Sequence, residues 1–168
     1  MTKSEQQTRF HEIYDRFQPM VLQLCNGFMK GDQEQAHDLC QEVFINVWRA
    51  LPRFRGTSAH KTWLYRITVN TCLQFIRHQK RRSEVSLEGL ENKITEEETK
   101  NDQARSTLYR AIGQLPELDR LMIMLVLDQL SYEDISEILG ISEGNLRVKI
   151  HRSKTKLKKI IENERQYE

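Results

Sequence analysis

The sequence has few residues that break helices and no motif typical of an enzyme or a metal site. Seven Gly and three Pro in 168 residues leave little to interrupt helix formation. The three cysteines are odd in number and include no Cys-x-x-Cys pair, which indicates reduced core thiols rather than a disulfide framework. The five histidines lack the spacing of metal ligands, and no glycine-rich phosphate loop is present. We therefore expect no catalytic activity, no metal and no cofactor.

Long apolar runs are also missing. The longest, residues 121–127, is far shorter than the ~20 residues that a helix needs to cross a bilayer. Residues 3–9 are polar throughout, so no secretory signal peptide is indicated. The sequence predicts a soluble, cytoplasmic protein with no membrane contact of its own.

What the sequence does contain is charge, which makes up 30% of its residues and is unevenly distributed. Residues 1–83 carry 13 Lys and Arg against 7 Asp and Glu, residues 84–104 carry 2 against 7, and residues 105–168 carry 11 against 10. The acidic stretch also loses helical periodicity and has no aromatic residue, which is typical of a linker. We predict an all-α protein with two small helical domains joined by a flexible acidic linker.

Two amphipathic helices open the first domain. Apolar residues between positions 10 and 28 repeat at helical spacing, and Pro19 in their midst predicts a kink or a break near Gln18. A second helix, which Pro52 ends, has one apolar face and a polar outer face between positions 38 and 49. From its chemistry alone, that outer face is an ordinary solvated surface.

Residues 54–82 hold the most informative pattern of this domain. A short loop leads into a helix, expected to begin near Thr62, that is apolar on most sides. One face differs, because spacings of three, four and seven align Trp63, Arg66, Asn70 and Arg77. Rings stack on bases, amides read base edges and cations hold phosphates, so this face suits single-stranded DNA. The alternative is that Trp63 belongs to the core and Asn70 caps or links helices.

The second domain shows a helix-turn-helix pattern. Ser131 and Asp134 fit a capping box, Gly140 closes the short helix that follows, and Ser142 caps a longer one. The longer helix has an apolar seam, and residues 145–159 carry seven Lys and Arg with no acid. Such a stripe repels itself unless a polyanion faces it, which predicts a recognition helix in the DNA major groove. A solvated basic helix is the alternative.

Four segments resemble one protein family in their amino-acid sequence. Residues 54–71 contain Phe-Arg-Gly-x-Ser and Thr-Trp-Leu-Tyr-Arg-Ile-x-Val-Asn-Thr, and residues 38–48 read Asp-Leu-x-Gln-Glu-Val-Phe-x-x-Val-Trp. Residues 115–120 read Leu-Pro-Glu-x-Asp-Arg, and residues 131–145 read Ser-Tyr-Glu-Asp-Ile-Ser-Glu-Ile-Leu-Gly-Ile-Ser-Glu-Gly-Asn. In this order they resemble regions 2 and 4 of the extracytoplasmic-function (ECF, group 4) sigma factors, promoter-recognition subunits of bacterial RNA polymerase.

The resemblance implies an alternative sigma factor with a region 2 domain over residues 8–82, a linker over 83–104 and a region 4 domain over 105–162. Its implied partners are bacterial core RNA polymerase, through the largest-subunit coiled coil and the flap, and promoter DNA, both duplex and single-stranded. An anti-sigma protein is a further expected partner. The residues implied to bind core polymerase are Asp38, Gln41, Glu42, Asn46 and Arg49.

The resemblance also implies two sets of DNA contacts. The −10 element would be opened and bound by Ser58, Ala59, His60, Lys61, Trp63, Arg66, Asn70, Arg77, Lys80, Arg81 and Arg82. The −35 element would be bound by Ser142, Glu143, Asn145, Arg147, Lys149, Arg152 and Lys154. His60 departs from the apolar or aromatic residue that many relatives carry, so their −10 base preference is not carried over to this chain.

Two other functions are consistent with parts of the pattern. A helix-turn-helix repressor would need a dimer interface to match two half-sites, and no spare apolar helix is evident. A helical adaptor that binds an acidic protein would explain the basic helix, but neither the aromatic stripe nor the acidic linker. Of the three functions, only that of a sigma factor accounts for the basic helix, the aromatic stripe and the acidic linker together.

Overall fold

A computed structural model of the chain describes residues 1–56, 59–85 and 100–167, with side chains for all of these except 84, 85 and 100–106. Within these residues every regular element is helical. The α-helices are α1 (Lys3–Phe28), α2 (Gln33–Ala50), α3 (His60–Val85), α4 (Lys100–Gly113), α5 (Glu117–Leu127), α6 (Tyr132–Leu139) and α7 (Glu143–Gln166). A 3-10 turn, Leu51–Arg53, follows α2. The predicted all-α fold is confirmed, and none of the described helices is long and apolar enough to cross a membrane.

The described residues pack as two units. Of the described residues, the N-terminal unit takes in 1–25, 34–56 and 59–85, and the C-terminal unit takes in 26–33 and 100–167. The end of α1 and the turn to α2 therefore belong with the C-terminal unit. Most of the predicted linker, residues 86–99, lies outside the described residues.

Helix α1 continues through Pro19, so the break that the sequence allowed near Gln18 does not occur. Proline removes one backbone donor and crowds the carbonyl four residues earlier, which is that of Asp15. Both Pro19 and Asp15 are exposed. Water can therefore solvate the carbonyl, while buried Val21 and Leu24 hold the opposite side of the helix in the core.

Aromatic rings join α1 to α2. The Phe10 ring meets that of Trp48 edge-on with 5.3 Å between centroids, and the Tyr14 ring meets that of Phe44 at 4.7 Å. The Gln6 Nε2 group donates a hydrogen bond to the carbonyl of Trp48 at 2.9 Å. Edge-on ring pairs contribute about 0.5–1.5 kcal/mol beyond burial, so this cluster fixes which face α2 turns outward.

Helix α3 forms part of the core of the N-terminal unit and lies beside buried cysteines. Leu64, Val69 and Cys72 are buried on α3, and Cys25 and Cys40 are buried on α1 and α2. Cys25, Cys40 and Cys72 all carry free thiols, as the sequence predicts. A hydrogen bond with Cys72, together with burial, raises the pKa of Cys25, and burial raises the pKa of Cys40 to about 12.

In the C-terminal unit α7 packs against α4, α5 and α6. Arg120, at the start of α5, is buried and donates from one guanidinium nitrogen to the carbonyl of Leu115 at 2.8 Å. Burial lowers the pKa of Arg120. Its hydrogen bond satisfies a carbonyl in the turn between α4 and α5, and so fixes the angle between two helices that support α7.

Because the cysteine thiols are buried, we predict that they react slowly with thiol reagents in the native protein. A thiol reagent should react with Cys40 and Cys25 far more slowly in buffer than in denaturant, because only thiolates attack and the folded pKa values lie above the ordinary value of about 8.5. The native rate should also stay low from pH 7 to 9, whereas the rate in denaturant should rise through that range. Equal native and denatured rates at pH 8, followed by absorbance, would contradict the buried placement.

Candidate nucleic-acid interface

Helix α3 exposes one polar stripe. Asn70, Gln74 and Arg77 are exposed, and Trp63 and Arg66 are partly buried on the same side of the helix. The other sides of the helix carry its buried apolar residues. The predicted alignment of Trp63, Arg66, Asn70 and Arg77 is therefore present, and it presents an amide and a guanidinium outward on a rigid support.

Trp63 combines features of its two predicted roles, base stacking and core packing. Its ring lies 4.5 Å from that of Phe54, centroid to centroid, with 36° between the planes. The His60 ring also lies beside Phe54, with 4.9 Å between the ring centroids. Trp63 is thus partly buried by Phe54, but it is not part of the fully buried core. Three rings meet where the loop enters α3, and they leave aromatic surface on which a base can stack.

An open pocket of about 360 Å³ lies beside these rings. It is lined by Asn46, Arg49, Ala50, Arg53, Phe54 and Trp63. The pocket brings together residues that the sequence assigned to different partners, since Trp63 was expected to meet DNA and Asn46 and Arg49 to meet polymerase. Arg53 and Phe54 belong to the same surface and were not predicted as site residues.

The loop before α3 and the end of α3 supply the remaining predicted −10 residues. Ala59, His60 and Lys61 are exposed at the start of α3, whereas Ser58 lies outside the described residues. At the other end the exposed cations are Arg77, Lys80, Arg81 and Arg82. Cations are favourable at a helix C-terminus, because the helix dipole is negative there. Of these four only Arg82 lies in the last turn of α3, so the dipole favours that cation, and the four together make the end of the helix strongly positive.

The outer face of α2 carries most of the predicted polymerase contacts. Asp38, Gln41, Glu42 and Arg49 are exposed. Asn46 lies at the margin of that face, because its Nδ2 donates to the Thr71 hydroxyl of α3 at 3.1 Å.

An apolar residue completes the outer face of α2. Ile45 is 44% exposed and follows Gln41 and Glu42 at spacings of four and three. Its exposed aliphatic side chain gives this polar face apolar area that a binding partner could remove from water.

The helix-turn-helix forms as its caps predict. The Ser131 hydroxyl accepts from the Asp134 amide at 3.1 Å, and the Ser142 hydroxyl accepts from the Asn145 amide at 3.3 Å. Gly140 ends α6 with φ of +68°, a left-handed conformation that residues with a side chain adopt at a cost. These contacts set the angle at which α7 leaves the turn.

Helix α7 buries one seam and exposes the predicted −35 residues. Leu146, Ile150 and Ser153 are buried. The exposed side chains of the predicted set are Ser142, Glu143, Asn145, Arg147, Lys149, Arg152 and Lys154. Within the described part of the chain, no carboxylate pairs with Lys149, Arg152 or Lys154. These three cations are available to a polyanion.

Arg147 differs from the other cations of α7. Its guanidinium lies 3.7 Å from the Glu143 carboxylate and 5.0 Å from the centroid of the Tyr132 ring. Exposed contacts of this kind are weak, about 0.2–1 kcal/mol each. They orient the Arg147 side chain while leaving it 63% exposed.

Sequence reasoning missed several exposed residues on these surfaces: Ile45, Arg53, Gln74 and Val148. The charge and motif patterns that identified the other residues do not mark them, since three are uncharged and Arg53 lies in the 3-10 turn. Helical spacing could have identified Gln74, which stands between Asn70 and Arg77 on the stripe. The fold and its two basic surfaces together describe a helical nucleic-acid-binding protein.

Comparison with known proteins identifies the family. The model for Sigma-70 region 2 matches residues 13–82, and that for Sigma-70, region 4 matches residues 105–157. The ECF RNA polymerase sigma-E factor of Escherichia coli (strain K12) is 36% identical over 88% of this chain and 84% of its own length. The RNA polymerase sigma-H factor of Pseudomonas aeruginosa is 33% identical over 88% and 83%. The chain belongs to the ECF sigma factors, and is thus an alternative sigma factor that directs core RNA polymerase to promoters.

Solved structures show the same fold. The sigma factor RpoE from Bartonella quintana, in co-crystals with the anti-sigma factor NepR, matches 92% of this chain and 97% of its own with a TM-score of 0.80 at 20% identity. CnrH, in complex with the cytosolic domain of CnrY, matches 94% and 90% with a TM-score of 0.68 at 19% identity. Both confirm the all-helical fold.

Two glycines of the helix-turn-helix provide a matched test of this geometry. Gly140→Ala should lower the free energy of unfolding by about 1–2 kcal/mol, because alanine is strained at positive φ. Gly144→Ala should leave that free energy unchanged or raise it by up to about 1 kcal/mol, because Gly144 is helical and an added Cβ meets nothing within 4 Å. Urea unfolding followed by circular dichroism measures both. Equal effects would contradict the left-handed turn.

Proposed function

We propose that the chain divides promoter recognition between its two ends. Residues 8–82 would bind core polymerase and open the −10 element, residues 105–162 would read the −35 element, and residues 83–104 would link them. The observation that carries this proposal is the pair of exposed basic surfaces, on α3 and on α7, that lie on separate units. The chain would act in the cytoplasm, where bacterial RNA polymerase works, and would contribute specificity while the polymerase supplies all of the chemistry.

The −10 surface is suited to capturing bases. Flipping a base out of a duplex costs a few kcal/mol, which stacking and hydrogen bonds must offset. Trp63 and Phe54 offer a stacking surface, and the exposed amide of Asn70 can both donate to and accept from a base edge. Ala59, the last residue of the loop, and His60 and Lys61, the first of α3, are exposed at the end of the helix that carries Trp63. The exposed cations from Arg77 to the end of the helix would hold phosphates.

The −35 surface is suited to the major groove. Asn145 lies in the first turn of α7, the part of a recognition helix that reaches base edges. Arg147, Lys149 and Arg152 extend along the exposed side and would contact bases or phosphates. Glu143 would hold Arg147 in place before DNA arrives.

Polymerase binding would use the outer face of α2. Asp38 and Glu42 supply negative charge, Gln41 and Arg49 supply hydrogen bonds, and Ile45 supplies an apolar centre. Asn46 would act mainly within the chain, through its bond to Thr71. A charged rim around an apolar anchor gives orientation and affinity together.

We also propose an anti-sigma protein as a regulatory partner. RpoE of Bartonella quintana was crystallised with such a protein, and its chain has the fold described above. A partner of this kind would compete with core polymerase for the chain. The proposal of an anti-sigma partner is tested by removing that partner and measuring whether transcription that depends on this chain increases.

The proposal is tested directly by transcription. Purified bacterial core polymerase is supplied with a genomic promoter library, with and without this chain, and RNA 5′ ends are sequenced. We expect new start sites that depend on the chain and share two upstream elements. Unchanged core activity, combined with tight duplex binding by the chain alone, would favour a repressor instead.

Polymerase binding is expected to depend on the α2 face. Glu42→Lys and Ile45→Ser should each weaken binding to core polymerase by about tenfold, because one reverses a charge and the other removes the apolar centre. Glu12→Lys makes the same charge reversal at an exposed position of α1 and should leave the Kd unchanged. Fluorescence titration of labelled chain with core polymerase measures the three. If Glu12→Lys is as damaging as Glu42→Lys, net charge rather than this face governs binding.

Asn70 is expected to act in −10 recognition. Asn70→Ala should lower initiation roughly five- to hundredfold, the loss expected for about 1–3 kcal/mol of base readout, while binding to core polymerase stays normal. Asn163→Ala removes the same exposed amide near the end of α7 and serves as the control. Abortive initiation assays with holoenzyme on a promoter from the library measure both. Full activity of Asn70→Ala would exclude Asn70 from the base contacts.

A further inference from the structure

One exposed residue on α7 is apolar and lies on the side opposite the buried seam. Val148 is 49% exposed, whereas Leu146 and Ile150, two residues before and after it, are buried. A step of two residues turns an α-helix by about 200°. Val148 therefore points directly away from the core, at the centre of the outward face of α7.

The surroundings of Val148 leave its methyl groups open. Its helical neighbours three and four residues away are Gly144, Asn145, His151 and Arg152, all exposed. Side chains on a helix lean toward its N-terminus, so Val148 lies over Gly144, which has no side chain. A Cβ built on Gly144 would meet nothing within 4 Å. At 49% exposure, Val148 therefore keeps apolar surface open toward Gly144, on the side where a recognition helix approaches base edges, while Arg152 lies one turn beyond it.

Two cations flank this residue on α7, and a third, Arg152, lies on the same face one turn further along the helix. Arg147 and Lys149 flank Val148 in sequence, about 100° to each side around the helix. Cations at the two edges of a helix suit the two phosphate backbones that border the major groove, while the middle of the helix faces the bases. An apolar side chain in that middle position has one matching group in the groove, the 5-methyl group of thymine.

We propose that Val148 contacts the 5-methyl group of a thymine in the −35 element and so contributes to the sequence specificity of the chain. The inference rests on the proposed function, because it requires α7 to lie in the major groove of that element. It adds an apolar readout to a surface otherwise described by its charges and amide. Val148 would distinguish thymine from cytosine, which presents no methyl group in the groove.

The test removes the methyl group from the DNA. In a promoter recovered by the transcription assay, each thymine of the −35 element, on both strands, is replaced singly by deoxyuridine, which differs only in lacking the 5-methyl group. Binding of holoenzymes that contain the wild-type chain, Val148→Ala or Val148→Ile is then titrated. The substitutions change an exposed residue, and equal melting temperatures confirm that the variants fold.

We expect one replacement to weaken binding of the wild-type holoenzyme about fourfold, the effect of leaving one methyl group unburied. The Val148→Ala holoenzyme should lose less on the same replacement, because alanine keeps only its Cβ for contact with the methyl group, and Val148→Ile should keep the full loss. The inference is overturned if no replacement distinguishes wild type from Val148→Ala. A chain that directs transcription yet shows no difference overturns this inference alone, whereas a chain that directs none overturns the proposed function and this inference with it.

Discussion

The C-terminal unit depends on the packing of a helix that repels itself. Helix α7 carries seven cations and no acid between positions 145 and 159, and like charges one turn apart destabilise a helix by about 0.2–0.5 kcal/mol per pair. Its buried seam, with Leu146 and Ile150 against α4, α5 and α6, contributes more, about 1.5–3 kcal/mol for each large aliphatic side chain. The packing keeps the cations on the sides of α7 away from the seam, where Glu143, Asp119 and Glu162 each lie near one of them. Under the proposed function, DNA phosphates would relieve the repulsion among the rest.

In the N-terminal unit, by contrast, the helix that carries the predicted DNA contacts is part of the core. Between Leu64 and Ile76 helix α3 packs its buried residues into the core and exposes only Asn70 and Gln74, so that Asn70 stands on a packed support. The ring pair of Phe54 and Trp63 closes the start of the helix, and Asn46 ties α2 to it through Thr71. Under the proposed function, a base captured here would meet a preorganised surface, which would reduce the entropy lost on binding.

Periodicity and caps were enough to predict the helices and the helix-turn-helix, because those signals are local. The continuity of α1 through Pro19 was not predictable, since it depends on which side of the helix meets solvent. The role of Asn46 was also hidden, because Thr71 is 25 residues away in sequence. Ile45 and Val148 look like core residues in a sequence, and only the packed structure shows that they are exposed. Charges and motifs therefore predicted the polar residues of the α2 and α7 faces but did not mark Ile45 and Val148, which are exposed among them.

The central claim is that both units read DNA at once from fixed positions on the polymerase. It is tested most directly by changing the number of base pairs between the two promoter elements and measuring initiation by holoenzyme. Each added pair moves the −35 element by 3.4 Å and rotates it by about a tenth of a turn. The account predicts a sharp optimum, with initiation falling steeply when two pairs are added or removed. Equal initiation at all spacings would contradict it, because one unit alone would then be selecting the promoter.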